Sequence, residues 1–412
     1  MSSGPDCRFC GAALSDVFLD LGLSPLANSY LRPEDLERKE PSYPLIAYVC
    51  AQCLLVQVPE LVAPGEIFSD YAYFSSYSES WVEHARLYSE AMIARFGLGP
   101  EHLAVEIASN DGYLLQHLAR RNVRILGVEP AANVAAVARE KGIPTVVRFF
   151  GAALAAELRA EHGGADLLIG NNVLAHVPAL NDFVSGLRAL LAPRGVITIE
   201  VPHLLELIRH GEFDTIYHEH FSYFSLLTLQ QIFAAHALRI FDVESLATHG
   251  GSLRIFAAHE ADSSKAMSPA VGRVLAIERE AGLDTLDGYL HFAPRVERIK
   301  SELLAFLGDQ RARGRSVAAY GAPAKGNTLL NFCGIGTDLI SFTVDRSPHK
   351  QGLYLPGSRI PVLAPEHVDQ ARPDFLLILP WNLRDEIVAQ MNRIRNWGGR
   401  FVVAVPELEV LA

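Results

Sequence analysis

The residues best suited to chemistry form one short run, Tyr217-His218-Glu219-His220, within a segment rich in aromatic side chains. A histidine beside a glutamate can act as a general base near neutral pH, and a tyrosine can donate a hydrogen bond to a developing oxyanion. The run therefore predicts a site that removes a proton and stabilises the resulting charge. Two other interpretations stay open: metal binding by His218 and His220, and a polar loop whose histidines are satisfied in the core.

Four of the five cysteines form two Cys-x-x-Cys pairs, Cys7 with Cys10 and Cys50 with Cys53. Two such pairs supply the tetrahedral four-sulfur shell of a structural zinc site, which leaves no open position for catalysis. The gap between them, residues 11–49, is longer than in most zinc ribbons and can hold a loop or a hairpin. Two unrelated reduced pairs, or a redox pair, are the alternatives.

A glycine and several residues with small polar or acidic side chains lie where strands of the middle segment are predicted to end. They are Glu106, Ser109, Asn110, Asp111, Gly112, Glu129 and Asn171. An acid that closes the second strand, as Glu129 does, can bind the two hydroxyls of a ribose. The turn 109–112 lacks the full Gly-x-Gly-x-x-Gly pattern, which argues against NAD. An acidic site of this kind favours an adenosyl ligand with positive charge and no phosphate, and S-adenosylmethionine fits that description.

These residues need a sheet to position them, and the middle of the chain alternates strand-like and helical patterns. Strands are predicted at 103–108, 124–129, 145–147, 166–169 and 196–201. Such alternation predicts a doubly wound parallel sheet, in which ligands bind at the carboxyl ends of the strands. His176 follows the fourth strand and the 217–220 run follows the fifth, so both can lie over one ligand crevice. A capping or core role is the alternative for His176.

The last third of the chain predicts a second α/β unit. A helix is expected over 290–313, followed by a strand at 316–320 and by the small-residue loop 321–328, which contains Lys325. Small residues let the backbone approach a ligand, and a lysine near a helix N-terminus supplies a cation, so the loop suits a phosphate. The residue order of a P-loop is absent. The basic loop 345–350 offers further cations or is a solvated surface loop.

An aromatic segment, residues 68–88, precedes the middle domain and includes Tyr71 and Tyr73. Tyrosine combines a π face with a hydroxyl, so the segment can be a lid that faces a cationic or sugar ligand. The alternative is a buried strap between domains. Tyr71 is the residue that we expect to reach a ligand first.

Composition narrows the classes of protein. A chain of 412 residues, 50% of them hydrophobic, is too long for a single small module and too apolar for a disordered one. A net charge of −11 disfavours a general nucleic-acid binder. We find no long uncharged apolar run and no signal-peptide pattern, so we expect a cytoplasmic protein without a membrane partner. The oligomeric state stays open, with a monomer as one option.

In chain order, these motifs resemble the S-adenosylmethionine-dependent sugar C-methyltransferases of deoxysugar and antibiotic biosynthesis. The resemblance covers nearly the whole chain. Its motifs are the two cysteine pairs and the runs 71–76, 106–112, 217–225 and 320–328. The family implies a zinc-binding module (1–66), a class I Rossmann-like methyltransferase domain (67–260) and a C-terminal α/β domain (261–412) that helps to hold a nucleotide-sugar. Ala108 is a small departure, since glycine is common there in methyltransferases.

The resemblance also implies a role for each matched residue. The expected zinc ligands are Cys7, Cys10, Cys50 and Cys53. The expected cofactor contacts are Tyr71, Glu106, Ser109, Asn110, Asp111, Gly112, Glu129 and Asn171. The expected catalytic residues are His176, Tyr217, Glu219 and His220. The expected substrate contacts are Tyr73, His218, Tyr223, Lys325 and Asn327.

The implied reaction moves a methyl group from S-adenosylmethionine to C3 of a TDP-linked 4-keto-6-deoxyhexose. The ketone acidifies C3, so His220 would remove the C3 proton while Glu219 orients or charges the site. Tyr217 and His176 would donate hydrogen bonds to the enolate oxygen at C4. The alternatives are an O- or N-methyltransferase, a non-catalytic nucleotide-sugar-binding protein and a zinc-containing NAD(P) oxidoreductase.

Overall fold

The computed structural model describes residues 4–63, 65 and 74–411 of the chain. Tyr71 and Tyr73, predicted to contact cofactor and substrate, lie outside the described residues. Within the described part, the chain forms three β-sheets that are flanked by helices. No helix among these residues combines the length and the apolar character that a membrane crossing requires.

The first sheet begins at the N-terminus. Its first strands are β1 (Asp16–Ser24), β2 (Tyr43–Val49) and β3 (Val56–Gln57). They pair antiparallel, so the residues between the two cysteine pairs form a hairpin-like unit. Alternate residues of β2, Leu45, Ala47 and Val49, are buried, which places one face of the strand on the core.

The middle segment forms a seven-stranded sheet. Its strands and one short neighbour are β4 (Leu103–Ile107), β5 (Arg124–Val128), β6 (Thr145–Val146), β7 (Ala165–Asn171), β8 (Leu191–Pro202), β9 (Ser222–Tyr223), β10 (Leu238–Leu246) and β11 (Ser252–His259). The sheet order is β10-β11-β8-β7-β4-β5-β6. Strands β4 to β8 pair in parallel, and β11 pairs antiparallel to both neighbours. The predicted Rossmann-like sheet is confirmed, with its switch point between β4 and β7.

The C-terminal part forms a six-stranded sheet. Its strands are β12 (Val317–Tyr320), β13 (Thr343–Val344), β14 (Val362–Leu363), β15 (Phe375–Ile378), β16 (Arg400–Val403) and β17 (Glu409–Leu411). The order is β14-β13-β12-β15-β16-β17, and β17 is the antiparallel strand. The predicted second α/β unit is therefore present.

Helices cover these sheets. They are α1 (Glu79–Phe96), α2 (Leu115–Ala119), α3 (Ala132–Glu140), α4 (Ala152–His162), α5 (Leu180–Leu190), α6 (Leu204–His210), α7 (Leu226–Ala235), α8 (Pro269–Glu280), α9 (Ala293–Ala312), α10 (Ala324–Cys333), α11 (His367–Ala371) and α12 (Arg384–Gln390). In α5, the buried residues Leu180, Phe183, Val184 and Leu187 recur at helical spacing, so one face packs on the sheet.

The segment after β8 joins the three parts of the molecule. Strand β9 does not enter the seven-stranded sheet; it pairs with β3 and extends the N-terminal sheet. One apolar core contains Phe18 of β1, Phe213 and Ile216 of this segment, and Leu330 of α10. The 217–220 run lies between Ile216 and β9, so all three parts of the chain determine its position.

Candidate active site

Four cysteine sulfurs converge beside the N-terminal sheet. The Sγ atoms lie within 4.8 Å of one another, with Cys7 to Cys53 and Cys10 to Cys50 both at 3.5 Å. Tetrahedral zinc with bonds of about 2.3 Å places its sulfurs ~3.8 Å apart, so the donor set fits the ion. Gln57 Nε2 donates to Cys7 Sγ at 3.1 Å, which favours the thiolate. The structural role predicted for this site agrees with its closed coordination shell.

The first cysteine pair, Cys7 and Cys10, lies next to the segment that carries the candidate catalytic residues. The guanidinium of Arg8, next to Cys7, donates to the Val58 carbonyl at 2.5 Å and to the Pro178 carbonyl at 3.3 Å. The same group lies 5.3 Å from the ring centroid of Phe221, which directly follows His220. Zinc binding therefore stabilises the segment next to His220 and does not supply a reacting group.

The turn after β4 has the backbone of a ligand-binding loop. Asn110 and Gly112 have φ values of 50° and 77°. A Cβ atom added to Gly112 would lie 2.8 Å from Ile143 Cγ1, so only glycine fits without rearrangement. The carboxylate of Glu129 accepts hydrogen bonds from the backbone N–H groups of Asn110 at 3.0 Å and Ala131 at 2.9 Å. Glu129 therefore ties the end of β5 to this turn.

The carboxylates at this edge of the sheet favour a cation. Glu106, Asp111 and Glu129 are all buried. Burial and the charges of Asp111 and Glu129 raise the pKa of Glu106 well above its usual value, and burial raises the pKa of Glu129. Buried carboxylates so close together are stabilised by a positive ligand. The sulfonium and amino groups of S-adenosylmethionine have this charge.

Like Glu129, two further residues expected to contact the cofactor are engaged by the protein. Asp111 Oδ2 pairs with Lys141 Nζ at 3.1 Å and accepts a hydrogen bond from Ser76. Asn110 Oδ1 accepts from the Ser75 backbone N–H at 2.8 Å. Both side chains hold the segment before α1 against the sheet edge.

Two other residues at this edge have buried polar atoms that lack a hydrogen-bond partner among the described residues. The side-chain amide of Asn171, at the end of β7, is buried and makes no hydrogen bond within the described residues. The same holds for Ser109 Oγ, which fits because Gly127 has no Cβ atom. Unsatisfied buried polar atoms are costly, so their presence at the carboxyl ends of strands fits a ligand that would satisfy them.

A charged network beside this edge was missed by sequence reasoning. Glu200 of β8 accepts from His84 Nε2 at 2.9 Å and from Arg254 Nε at 2.7 Å. Burial alone would raise the pKa of Glu200, but the hydrogen bond from His84 and the charge of Arg254 outweigh it and lower the pKa. Trp81 stacks on His84 with ring centroids 4.9 Å apart. The sequence signal for this network was Glu200, a single glutamate within the apolar run of β8.

A second unpredicted pair lies between β7 and β11. Asn172 and His249 both have positive φ, at 53° and 56°, and Asn172 Nδ2 donates to His249 Nε2 at 3.3 Å. Burial and the charge of Lys325 lower the pKa of His249 to about 4, so the ring is neutral at physiological pH. Paired unusual backbone conformations are typical of functional sites.

The hydrogen bonds of His220 define its tautomer. Its Nδ1 lies 2.8 Å from the carbonyl oxygen of Thr215, which can only accept, so Nδ1 carries the proton. Nε2 therefore holds the lone pair, and the Tyr217 hydroxyl donates to it at 2.7 Å. Burial, with a contribution from His176, lowers the pKa of His220 well below 6.5. The pair is a neutral base hydrogen-bonded to a phenol.

His176 is next to this pair. Its ring centroid lies 4.6 Å from that of His220, and its Nδ1 donates to the Glu219 carbonyl at 2.9 Å. The predicted juxtaposition of the fourth-strand loop and the 217–220 run is therefore present. Burial lowers the pKa of His176 to about 4. In this neutral tautomer Nε2 can accept a hydrogen bond but cannot donate one, which differs from the donor role expected from the sequence.

The Glu219 side chain points away from this ring pair. Both carboxylate oxygens lie 2.8 Å from Nδ2 of Asn28, in the segment after β1. Burial raises the pKa of Glu219 to about 7, although the hydrogen bond from Asn28 and the charge of Lys350 oppose the rise. Glu219 thus fastens the N-terminal segment to the run, and Asn28 is a contact that the sequence did not reveal.

The remaining expected substrate contacts are dispersed. His218 Nε2 lies 3.2 Å from the Pro44 carbonyl, so its ring faces the N-terminal sheet and not His220. Tyr223 is buried, with its ring centroid 6.2 Å from that of His220. In the part of the chain that the structure describes, no group of three or more ligating side chains besides the four cysteines is arranged for a metal.

The two expected contacts from α10 serve the protein interior. Asn327 Nδ2 donates to the Ala27 carbonyl at 2.6 Å, and Lys325 Nζ donates to Asn382 Oδ1 at 3.0 Å. The ammonium group also lies 4.5 Å from the ring centroid of Trp381. Each side chain keeps further N–H donors, so the substrate contacts expected of Lys325 and Asn327 stay predictions.

Comparison with known proteins matches three family models in chain order. They are described as a zinc binding domain (residues 7–68), a methyltransferase domain (82–242) and a C-methyltransferase C-terminal domain (247–406). The chain is 40% identical over 410 residues to the C-methyltransferase NovU of Streptomyces niveus, and the alignment covers 99% of this chain and 97% of that protein.

Solved structures resemble the chain over less than half of its length. Magnesium protoporphyrin IX methyltransferase from Synechocystis PCC 6803, with bound SAM, is 14% identical with a TM-score of 0.36; the match covers 49% of this chain and 100% of that one. The CcbJ methyltransferase of Streptomyces caelestis is also 14% identical, with a TM-score of 0.34 and coverage of 43% and 90%. The full-length relative and the family models decide the assignment: the chain belongs to the S-adenosylmethionine-dependent C-methyltransferase family and carries that family's cysteine zinc site.

Proposed function

We propose that the protein methylates C3 of a TDP-linked 4-keto-6-deoxyhexose in deoxysugar and antibiotic biosynthesis. A carbon atom must lose a proton before it can attack a methyl group, and a neighbouring ketone makes that proton acidic. The observation that supports this most is the neutral His220, with its tautomer defined by Thr215, in hydrogen-bond contact with Tyr217. A lone-pair nitrogen and a phenol side by side are the base and the oxyanion donor that enolate chemistry needs.

The proposed sequence of events follows from these hydrogen bonds. When the sugar binds, the Tyr217 hydroxyl turns from His220 Nε2 to the C4 oxygen, and the Nε2 lone pair takes the C3 proton. The C–H electron pair becomes the C3=C4 bond of an enolate, whose oxygen Tyr217 stabilises, and the same pair then forms the new C–C bond while the C4 carbonyl is restored. When bound, S-adenosylmethionine would supply the electrophilic methyl group and keep the S–CH3 electron pair on its sulfur as a neutral thioether; Glu106, Glu129 and Asn171 are proposed to hold it.

Two of the earlier assignments change in this proposal. His176, an acceptor at Nε2, is assigned to a hydroxyl of the sugar and not to the enolate oxygen. The nucleotide phosphates are assigned to the basic loop 345–350 and not to Lys325. Lys350 Nζ lies 2.8 Å from the Ala322 carbonyl of the small-residue loop, and Arg346 is half exposed.

The chain is further proposed to act in the cytoplasm, without a nucleic-acid or membrane partner. A four-thiolate zinc site requires reduced cysteines, which the cytoplasm maintains. The net charge of −11 opposes attraction to nucleic acid.

The decisive experiment combines product analysis with two substitutions. The wild-type protein is incubated with S-adenosylmethionine and TDP-4-keto-6-deoxyhexoses, and NMR distinguishes a new C–CH3 from an O–CH3 group. His220→Asn is expected to lower kcat by at least ~100-fold and Tyr217→Phe by roughly 100- to 1,000-fold. Both should bind S-adenosylmethionine normally by calorimetry.

The matched control is His236→Asn. His236 bonds to Ser185 Oγ at 3.0 Å, outside the site, so this variant should keep wild-type activity. Deuterium exchange at C3 without S-adenosylmethionine should occur in the wild type and be lost in His220→Asn. Full activity of His220→Asn, or an O-methyl product, would refute the proposal.

A further inference from the structure

A polar cluster at the domain interface lies next to the 217–220 run and has no role in the reaction so far. It contains Glu212, Asp214, Lys325, Trp381 and Asn382. Trp381 Nε1 donates to Asp214 Oδ2 at 2.8 Å, and Lys325 Nζ sits 4.5 Å from the centre of the same indole ring. Glu212, Asp214 and Trp381 are buried. We call this group the interdomain cluster.

The interdomain cluster is connected to His220 through one backbone carbonyl. Phe213–Thr215 forms a single 3-10 turn, and the Thr215 carbonyl accepts the Nδ1 proton of His220. The residue before Thr215 is Asp214, held by Trp381. The residue after it is Ile216, whose carbonyl accepts a hydrogen bond from Thr328 Oγ1 of α10 at 3.2 Å. The C-terminal domain therefore holds Thr215 from both sides.

We propose that Lys325 and Trp381 are positioning residues, through which the C-terminal domain sets the orientation and the tautomer of His220. This inference rests on the proposed role of His220 as the base. Without the Trp381 hydrogen bond and the Lys325 charge, Asp214 would keep only the local backbone N–H bonds of Asp214 and Thr215, and nothing from the C-terminal domain would hold its carboxylate. The 3-10 turn would then be free to shift. His220 would then lose the acceptor that keeps its proton on Nδ1 and its lone pair on Nε2.

The charges in the cluster agree with this assignment. Burial raises the pKa of Glu212 to about 8 and that of Asp214 to about 6, and the Lys325 charge opposes both rises. An ammonium beside two buried carboxyls compensates the cost of burying charge in the interface.

The test compares variants by steady-state kinetics and by cofactor calorimetry. Trp381→Phe keeps the ring but removes the donor to Asp214, and Lys325→Met removes the charge. Each is expected to lower kcat by about tenfold to a hundredfold, because small displacements of a catalytic group have effects of this size. The Kd for S-adenosylmethionine should stay within about twofold of wild type, since the cofactor edge is not involved.

The matched control is Arg400→Met. Arg400, at the start of β16, also places a cation over an aromatic ring of the C-terminal domain, 4.9 Å from the centroid of Phe375 in β15. Its kcat should equal that of the wild type. If Lys325→Met does not fold, Trp381→Phe decides the question, because it preserves the shape of the interface.

The pH profile separates positioning from general destabilisation. The hydrogen bond to the Thr215 carbonyl raises the pKa of His220, so Trp381→Phe, which changes no charge, should move the acid limb of the kcat profile to lower pH if the turn shifts. The titratable and charged groups that face His220, which are His176, Tyr217, Tyr223, His249 and Lys325, are unchanged in this variant. The groups that face Lys325 are Glu212 and Asp214.

The outcomes distinguish this inference from the proposed function. Wild-type kcat in both variants, or a lowered kcat in Trp381→Phe with an unmoved acid limb, would overturn the positioning role while leaving His220 as the base. Full activity of His220→Asn would instead overturn the proposed function. A reduced kcat, a shifted acid limb and unchanged cofactor affinity would establish the positioning role.

Discussion

The buried Glu219 carboxyl predicts a stability that depends on pH. Glu219 is 2% exposed, and Nδ2 of Asn28 lies 2.8 Å from each of its two oxygens. The substitution to test is Glu219→Gln. Glutamine keeps an acceptor oxygen for Asn28 and the shape of the side chain, but it cannot ionise. The substitution therefore isolates the free-energy cost of the buried charge.

The magnitude follows from the two pKa values. Burial raises the pKa of Glu219 to about 7 in the folded protein, from an ordinary value of 4.5. Between these values the folded state keeps a proton that the unfolded state has lost, so the free energy of unfolding falls as pH rises. A difference of about 2.5, at 1.36 kcal/mol for each unit, gives ~3 kcal/mol. Wild type should lose this stability between pH 4.5 and 7, and Glu219→Gln should not.

The assay is urea unfolding of both zinc-loaded proteins at pH 5 and pH 8. Other buried acids titrate equally in the two proteins, so they cancel in the difference. The stability of Glu219→Gln minus that of wild type should increase by roughly 2–3 kcal/mol from pH 5 to pH 8. Glu37→Gln, at an exposed side chain, controls for the loss of one negative charge. A difference that does not change with pH would refute the reasoning.

The other predictions concern the metal and the cofactor edge. Cys53→Ser should lower the zinc content measured by mass spectrometry and lower the Tm, since structural zinc contributes folding free energy; full zinc occupancy would contradict the four-sulfur site. Gly112→Ala should cost roughly 1–2 kcal/mol, because alanine at φ 77° is strained and its Cβ would meet Ile143. Calorimetry should show weaker S-adenosylmethionine binding by this variant, and wild-type affinity would count against the turn as a cofactor contact.

Much of the fold was predictable because it depends on local patterns. The strand expected at 103–108 is β4 (Leu103–Ile107), and the helix expected over 290–313 is α9 (Ala293–Ala312). Buried parallel strands are continuous apolar runs, and amphipathic helices repeat their apolar residues every three to four positions. The zinc ligands were predictable for the same reason, since each Cys-x-x-Cys pair is a local turn.

The contacts that join the N-terminal segment to the 217–220 run and to α10 were not predictable. Asn28 and Glu219 are 191 positions apart, and Asn327 and Ala27 are 300 positions apart. Nothing in the local pattern at Asn28 indicates that its amide meets a buried carboxyl. The position of Lys325 was equally hidden in the local sequence. A lysine among small residues is typical of a phosphate site, but in the structure Lys325 lies at the interdomain cluster.

By itself, the sequence determined the class of sheet, the zinc ligands and the short run from which the chemistry is proposed. Spacing along the chain is enough for these features, because periodicity and turn residues act over a few positions. Only the tertiary structure decided which side chains of that run meet and which face away. His218 turns to the N-terminal sheet, while His220 meets Tyr217 and His176. The direction of each ring depends on carbonyl groups from distant segments, and their approach is a property of the packed core.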